Sequence, residues 1–203
     1  MTDYRERGQA PRRVSWGLIG GTKVETEAGW RRVEDLRPGT LVHTFDGGLR
    51  PVRAIYQTEY GAGLAEAYPE GLILVPAGAL GNNEAFYLLP DQHVMVRGTA
   101  VEGVTGESGV LVAGRHTIGY GGIGLVMPVD EINIYSLSFD EEEICYVNQA
   151  VLMHCPRPKK VAEGVSDSFS VAGPETANYL MSCRFFETAA EATTEEPTTS
   201  EPA

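Results

Sequence analysis

The sequence predicts an all-β fold, and three observations support this prediction. Short runs that alternate polar and apolar residues recur between Gly21 and Arg53, as is typical of half-buried strands. Clear turn signals, including Pro38-Gly39 and Asp46-Gly47-Gly48, separate these runs. The chain of 203 residues also contains 24 glycines, which suits a fold with many tight turns. We therefore expect one compact core built from short strands.

The strands of the first stretch follow one another closely. A bent turn over Val33–Gly39 interrupts them, because Pro38-Gly39 stops any helix there. Four short strands within about 35 residues indicate all-β packing. These strands are predicted over Lys23–Thr26, Trp30–Val33, Thr40–Phe45 and Pro51–Ile55.

Later segments continue the pattern with few helices. Leu64–Tyr68 predicts a short helix that Pro69 ends. Leu72–Pro76 is a continuous apolar run, typical of a strand buried on both faces. Thr99–Gly109 is rich in glycine and predicts a hairpin. Further strands are expected over Leu125–Val129, Ile132–Phe139 and Ile144–Val147.

The stretch Gly21–Arg53, GTKVETEAGWRRVEDLRPGTLVHTFDGGLRPVR, resembles the opening of a Hint domain. This is the Hedgehog/intein autoprocessing module, here similar to the bacterial form common in alphaproteobacteria. Val75–Gly81 (VPAGALG) and Gln92–Gly98 (QHVMVRG) extend the resemblance, which covers Trp16–Met153. It implies a compact, pseudo-symmetric β-fold.

We predict four segments in the chain. A flexible polar arm over 1–13 precedes a Hint-like domain over 14–153, and a small C-terminal appendage over 154–186 follows it. The appendage contains one short helix over Glu175–Cys183. The last segment, 187–203, is an acidic tail with five glutamates and no lysine or arginine, which predicts disorder.

The resemblance places the nucleophile at a position where this chain has glycine. In Hint domains a Cys, occasionally a Ser, stands four residues before the Gly of the Gly-Thr pair, and that position is Gly17. Self-cleavage begins when a thiol or hydroxyl attacks the preceding carbonyl, and glycine has no such atom. Ser15 and Thr22 are the candidate substitutes. Ser15 lies two residues early, a displacement of roughly 6 to 7 Å along a strand.

The resemblance also implies a role for His93. It corresponds to the family histidine that polarises the scissile amide and protonates its leaving nitrogen. The alternative is a structural histidine that makes one hydrogen bond at the start of a strand. Pro90 stands where the family motif has Thr or Ser, and Asp91 is expected to accept a hydrogen bond within a turn. Glu142 occupies the place of another family histidine.

Departures from the family pattern at Gly17, Pro90 and Glu142 favour a degenerate domain. Such a domain would have lost autoprocessing and would serve as a structural or protein-interaction module, with a protein partner or as one piece of a larger assembly. The alternative is residual self-cleavage near the N-terminus, with Ser15 or Thr22 as nucleophile and His93 assisting. Whether the chain is an enzyme is left open, although the missing nucleophile argues against activity.

Two groups of residues suggest metal ligands at first sight. Asp140–Glu143 is an acidic run, but it lacks the interleaved Asp, Asn and Gly of a calcium loop, so a solvated turn is expected. His154, Cys155 and Cys183 could share a zinc ion, but no Cys-x-x-Cys pair supports such a site. We therefore expect neither a metal nor a cofactor.

Composition limits the partners and the compartment. The net charge of −12 opposes binding to nucleic acid or to anionic membranes. No apolar run is long enough for a signal peptide or a membrane span. Three cysteines favour a reducing compartment. We expect a cytoplasmic chain with a protein partner, and secretion by a non-classical route stays open.

Overall fold

The computed structural model describes residues 13–61, 63–128, 131–157, 166 and 168–183. The predicted arm, apart from Arg13, and the predicted acidic tail lie outside the described residues. In chain order the strands of the described residues are β1 (Leu18–Ile19), β2 (Lys23–Thr26), β3 (Gly29–Arg32), β4 (Leu41–Thr44), β5 (Gly48–Pro51), β6 (Ala54–Tyr60), β7 (Leu72–Val75), β8 (Phe86–Leu88), β9 (His93–Arg97), β10 (Gly109–Ala113), β11 (Gly124–Val126), β12 (Ile132–Ser138), β13 (Glu143–Val147) and β14 (Val151–Cys155).

The helices of the described chain are short. They are α1 (Leu64–Ala67), α2 (Thr99–Thr105) and α3, which occupies 174–183. Two 3-10 turns cover Val33–Asp35 and Gly114–Thr117. The first of these is the bent turn that the sequence predicts before Pro38-Gly39.

The strands form three antiparallel sheets. The largest has the order β10-β9-β14-β13-β2-β4-β5, with β3 added beside β2 and a further pairing between β13 and β4. The second has the order β1-β12-β6, and the third has the order β11-β7-β8. The prediction of an all-β fold is therefore confirmed.

Strand boundaries follow the burial pattern of the sequence. In β2 the side chains of Val24 and Thr26 are buried and their neighbours are not, as the alternation predicts. The predicted strand Pro51–Ile55 is instead divided between β5 and β6. At the division Val52 N–H donates to Thr40 O and Arg53 N–H donates to Ser138 O, so the chain passes there from the largest sheet to β12.

The main core lies between the sheets and extends to the C-terminal part of the chain. It contains Leu18, Val24 and Met153 together with three side chains of α3, which are Ala177, Leu180 and Met181. The predicted C-terminal helix therefore forms and buries an apolar face against the β-domain. Each large apolar side chain buried in this way contributes about 1.5–3 kcal/mol.

The prediction of a hairpin over Thr99–Gly109 is wrong, because its first part forms α2. Val101 buries its side chain, and Gly106 ends the helix in the left-handed conformation, with φ +74°. The Gly106 N–H donates to Glu102 O at 2.9 Å, which satisfies a carbonyl at the helix end. Of the glycines in this stretch, Gly103 lies exposed within the helix, Gly106 ends it, and Gly109 begins β10.

Candidate functional site

Gly17 lies directly before β1 in a buried position. Its φ of +141° falls in a region that favours glycine. A Cβ atom placed there would lie 2.7 Å from Cγ2 of Ile134 and 2.9 Å from Oγ of Ser136, both on β12. The position expected to carry the nucleophile therefore lacks both the side chain and the space for one.

The peptide bond between Trp16 and Gly17 is held on both sides. The Gly17 N–H donates to Oε1 of Gln92 at 2.8 Å in a buried environment. The carbonyl oxygen of Trp16 accepts a hydrogen bond from the Ser136 hydroxyl at 2.9 Å. Both polar groups of the bond that a Hint domain would activate are thus satisfied by side chains.

Gln92 connects this peptide to two further strands. Its side chain is buried, with only 1% of the residue exposed. The Nε2 group donates to the carbonyl oxygen of His93 at 2.8 Å and to that of His154 at 2.7 Å. One amide side chain therefore ties the segment before β1 to β9 and β14.

His93 is half-buried at the start of β9. Burial lowers its pKa, the nearby Arg115 lowers it further, and Asp91 opposes the shift. Its ring lies edge-to-face with that of His154, with ring centroids 6.2 Å apart. Asp91 pairs its carboxylate with Arg13 and Arg115 and is therefore more than a turn residue.

The candidate hydroxyls do not join His93. Ser15 is half-buried two residues before Gly17. Thr22 is buried after β1, where its N–H donates to Ile19 O and its carbonyl accepts from Val33 N–H. Within the described chain, neither the Ser15 nor the Thr22 hydroxyl makes a hydrogen bond to His93.

Glu142 is buried and bound, so the expectation of a solvated turn is wrong for this residue. Only 3% of its side chain is exposed. Its Oε1 accepts hydrogen bonds from the Ser166 hydroxyl and from the Ser168 N–H, the latter at 3.2 Å. Glu143 is also buried, and it lies 3.3 Å from Nε of Arg50.

The partners of Glu142 belong to a stretch that we call the closing segment, residues 166 and 168–172. It runs beside β10, where Leu111 N–H donates to Ser170 O and Ala172 N–H donates to Leu111 O, each at 2.8 Å. Phe169 packs its ring edge-to-face against His154, with centroids 6.4 Å apart. The C-terminal part of the chain thus covers the side of the site that contains Glu142 and His154.

His154 is buried between Glu142, His93 and Phe169. Its Nε2 has no hydrogen-bond partner among the described residues and lies 3.7 Å from Oε1 of Glu142. Burial lowers the pKa of His154 to about 4, although the charge of Glu142 opposes that shift. At neutral pH the imidazole is therefore uncharged.

The three residues considered for zinc do not converge on one point. His154 and Cys155 are consecutive on β14 and so project to opposite faces of the strand. The Sγ of Cys155 lies 3.7 Å from that of Cys145 in the core. Within the described ranges no group of three or more His, Cys, Asp or Glu residues could hold a metal ion.

Sequence reasoning named the centre of this site but missed most of its contacts. The sequence does not predict a role for Gln92, which precedes His93, or for Ser136, which lies in a strand of ordinary alternating pattern. The sequence suggests His154 only as a zinc ligand, and it suggests Glu142 only as a departure from the family pattern and as part of an acidic turn. The available signal for the site is Gln92, a polar residue directly before His93 and the apolar strand that follows.

These features define a β-rich domain in which the peptide bond between Trp16 and Gly17 lies between Gln92, directly before β9, and Ser136 on β12. The family model described as "Hint domain" matches residues 16–152, and the chain belongs to this family. No helix in the described residues has the length and apolar character needed to cross a membrane.

Three solved structures are similar to the chain over most of their own length. One is a bacterial intein-like domain from Clostridium thermocellum, with 16% identity, a TM-score of 0.47, and coverage of 68% of this chain and 97% of that one. Another is the AceL NrdHF class 3 split intein, with 15% identity, a TM-score of 0.35, and coverage of 70% and 97%. The MchDnaB-1 intein has 13% identity, a TM-score of 0.40, and coverage of 68% and 98%. A comparison with curated proteins finds no match.

Proposed function

We propose that this Hint domain has lost autoprocessing and serves as a structural or protein-interaction module. The observation that carries the proposal is the geometry of Gly17, whose Cβ position is filled by Ile134 and Ser136. Without a thiol or hydroxyl at this position, the Trp16 carbonyl has no nucleophile on the adjacent residue. The peptide bond then stays intact as a buried link between Gln92 and Ser136.

Two exposed strands of the largest sheet support the interaction role. Among the described residues, β3 pairs only with β2 and β5 pairs only with β4. Trp30 on β3 is 42% exposed and Leu49 on β5 is 41% exposed. Edge strands present unpaired backbone groups that can bind an extended segment of another protein. The partner in this proposal is a protein, since the net charge of −12 opposes binding to nucleic acid and to anionic membranes.

Intact mass of the freshly expressed chain tests the loss of autoprocessing. We expect one species at 21.9 kDa before and after prolonged incubation with thiol at neutral pH. A product that begins at Gly17 would overturn the proposal, because it requires cleavage of the peptide held by Gln92 and Ser136.

Purification from cells tests the interaction role. We expect a protein that copurifies with the wild-type chain and is lost when Trp30 and Leu49 are both changed to serine. Tyr56→Ser is the matched control, since this aromatic residue is 55% exposed on β6, in a different sheet. Identical sets of copurifying proteins for all three chains would contradict the role of these strands.

A second candidate function is residual self-cleavage between Val14 and Ser15. The Tyr68 hydroxyl donates to the carbonyl oxygen of Val14 at 2.5 Å, and this is the carbonyl that Ser15 would attack. Burial raises the pKa of Tyr68, so the hydroxyl keeps its proton and remains a donor to a developing oxyanion. Ser15 Oγ would bond to the Val14 carbonyl carbon as the bond from that carbon to the Ser15 nitrogen breaks. The hydroxyl proton would pass to this nitrogen, which becomes a free amine, and water would then hydrolyse the ester.

The mass of the products distinguishes the two candidates. Self-cleavage predicts a chain that begins at Ser15 and that is absent from the Ser15→Ala, Tyr68→Phe and His93→Ala variants. The Thr22→Ala variant separates the two candidate hydroxyls, because cleavage persists in it if Ser15 is the nucleophile. A full-length chain in every sample would exclude this second candidate under the conditions used.

A further inference from the structure

The side chain of Arg13 is bound on three sides at the point where the chain joins the domain. Its Nη1 lies 2.6 Å from Oε1 of Glu70, and its Nη2 lies 3.0 Å from Oδ2 of Asp91. Its Nε also donates to the same Asp91 oxygen at 3.2 Å. The guanidinium carbon stands 5.0 Å from the centre of the Tyr68 ring. Two carboxylates and one aromatic ring therefore surround one planar cation.

The groups that surround Arg13 are themselves held in place. Tyr68 is fully buried and packs edge-to-face against Tyr60, with ring centroids 5.5 Å apart. Asp91 binds Arg115 through its other carboxylate oxygen. The ring and one of the two carboxylates are thus fixed by the rest of the domain, which lowers the entropy lost when the arginine binds.

The same surroundings bind the backbone of the next residue. The hydroxyl of Tyr68 accepts a hydrogen bond from Val14 N–H at 3.1 Å and donates to Val14 O at 2.5 Å. One tyrosine therefore contacts an arginine through its ring and the following residue through its hydroxyl. This combination selects an arginine within a polypeptide, since free arginine lacks the second set of contacts.

Adjacent residues of one turn bind both ends of the segment from Arg13 to Gly17. Asp91 binds the side chain of Arg13, and Gln92 binds the N–H of Gly17. We propose that Tyr68, Glu70 and Asp91 form a binding site for an arginine of an extended polypeptide segment, which Arg13 of this chain fills. Binding of Arg13 positions the peptide bond between Trp16 and Gly17 against Gln92 and Ser136. Arg13 is thereby a positioning residue for this peptide bond.

The chemistry requires arginine rather than a generic cation. A guanidinium group can stack on an aromatic face while its fork of N–H groups pairs with carboxylates. A lysine ammonium is a compact charge that cannot make both contacts in the same way. Arg13 and Glu70 are each about one-third exposed, so the ion pair between them contributes little by itself. The selectivity for arginine therefore depends on the ion pairs with Glu70 and Asp91 and on the Tyr68 ring together.

Hydrogen exchange of the Gly17 amide in the full-length chain tests whether Arg13 acts on a peptide bond that it does not itself contact. In Arg13→Ala we expect the Gly17 amide to exchange about threefold to tenfold faster than in the wild-type chain. The Phe45 amide, which donates to Ile144 O in the core, should exchange at an unchanged rate. The matched control is Arg53→Ala, which removes an exposed arginine paired with Asp140 on another surface. This control should leave Gly17 exchange unchanged.

Two further variants test whether the site recognises arginine. Arg13→Lys should restore less than half of the protection of Gly17 that Arg13→Ala loses. Glu70→Gln should accelerate Gly17 exchange in the wild-type chain but not in the Arg13→Ala chain, because the two residues act through one contact. Full protection by lysine would overturn the selectivity for arginine. Unchanged Gly17 exchange in Arg13→Ala, or an equal rise at Phe45, would overturn the positioning role.

Discussion

The N–H of Gly17 donates a 2.8 Å hydrogen bond to Oε1 of Gln92, a residue 75 positions later in the chain. This hydrogen bond holds the amide of the peptide bond between Trp16 and Gly17, which corresponds to the bond that an active Hint domain cleaves. Because Gln92 also binds the carbonyls of His93 and His154, its side chain links the junction to two strands of the largest sheet. The site is therefore organised as a structural hydrogen-bond network, and its stability can be tested residue by residue.

Restoring a cysteine at Gly17 should destabilise the domain without restoring cleavage. Gly17→Cys combines an unfavourable φ with a Cβ atom placed against Ile134 and Ser136. We expect the free energy of unfolding to fall by about 3 kcal/mol. Denaturant unfolding measures this change. Gly103→Ala is the control, since the added carbon meets open space beside the helix's own backbone and a helix tolerates alanine. Equal stability of the two variants would contradict the steric argument.

Replacing Gln92 should cost more than replacing an exposed glutamine. Gln92→Ala leaves the Gly17 N–H and the carbonyls of His93 and His154 without their partner in a buried environment. We expect a loss of about 2–4 kcal/mol in the free energy of unfolding. Gln57→Ala removes one exposed hydrogen bond to Asn133 and should cost less than about 0.5 kcal/mol. Thermal or denaturant unfolding of both variants decides the comparison.

Stability should fall as the pH is lowered from about 6.5 towards 4. Burial lowers the pKa of His154 to about 4 in the folded chain, from the ordinary histidine value of 6.5. The unfolded chain therefore binds more protons in this range, so stability is complete above the unfolded pKa and is lost towards the folded one. The loss approaches about 3 kcal/mol, and His93, whose pKa burial also lowers, acts in the same direction.

The His154→Gln variant separates this effect from general acid denaturation. The slope of stability against pH between about 4 and 6.5 should become smaller in this variant, because one buried proton acceptor is removed. Urea unfolding at a series of pH values gives both slopes. An unchanged slope would mean that His154 does not titrate differently in the folded and unfolded chains.

The closing segment should loosen when its hydrogen bond to Glu142 is removed. Ser166→Ala takes one donor from a buried carboxylate and one acceptor from the Phe169 N–H. We expect stability to fall by about 2 kcal/mol and the Ala172 amide, which donates to Leu111 O, to exchange faster. Ser182→Ala provides the control, because it removes only an exposed hydrogen bond from the Ser182 hydroxyl to Tyr179 O. Unchanged exchange at Ala172 would show that the hydrogen bond between the Ser166 hydroxyl and Glu142 does not hold this segment.

Local patterns were enough to predict much of the fold. The alternation in Lys23–Thr26 predicted β2, and the apolar run Leu72–Pro76 predicted β7, because side-chain periodicity is a property of the strand itself. The hairpin turn at Asp46-Gly47-Gly48 is also set by local backbone preferences. The helix α2 is not predicted because Gly103 within it and Gly106 at its end suggest a turn, whereas the helix depends on the packing of Val101.

By itself the sequence determined the all-β class, the family and the absence of a side chain at Gly17, since these depend on residue types and short-range spacing. Only the tertiary structure decided what surrounds Gly17. Gln92, Ser136 and the partners of Glu142 come from distant parts of the chain, and no periodicity predicts which of them meet. The tertiary structure also buries Glu142 and His154. Glu142 thereby accepts hydrogen bonds inside the protein, and burial lowers the pKa of His154.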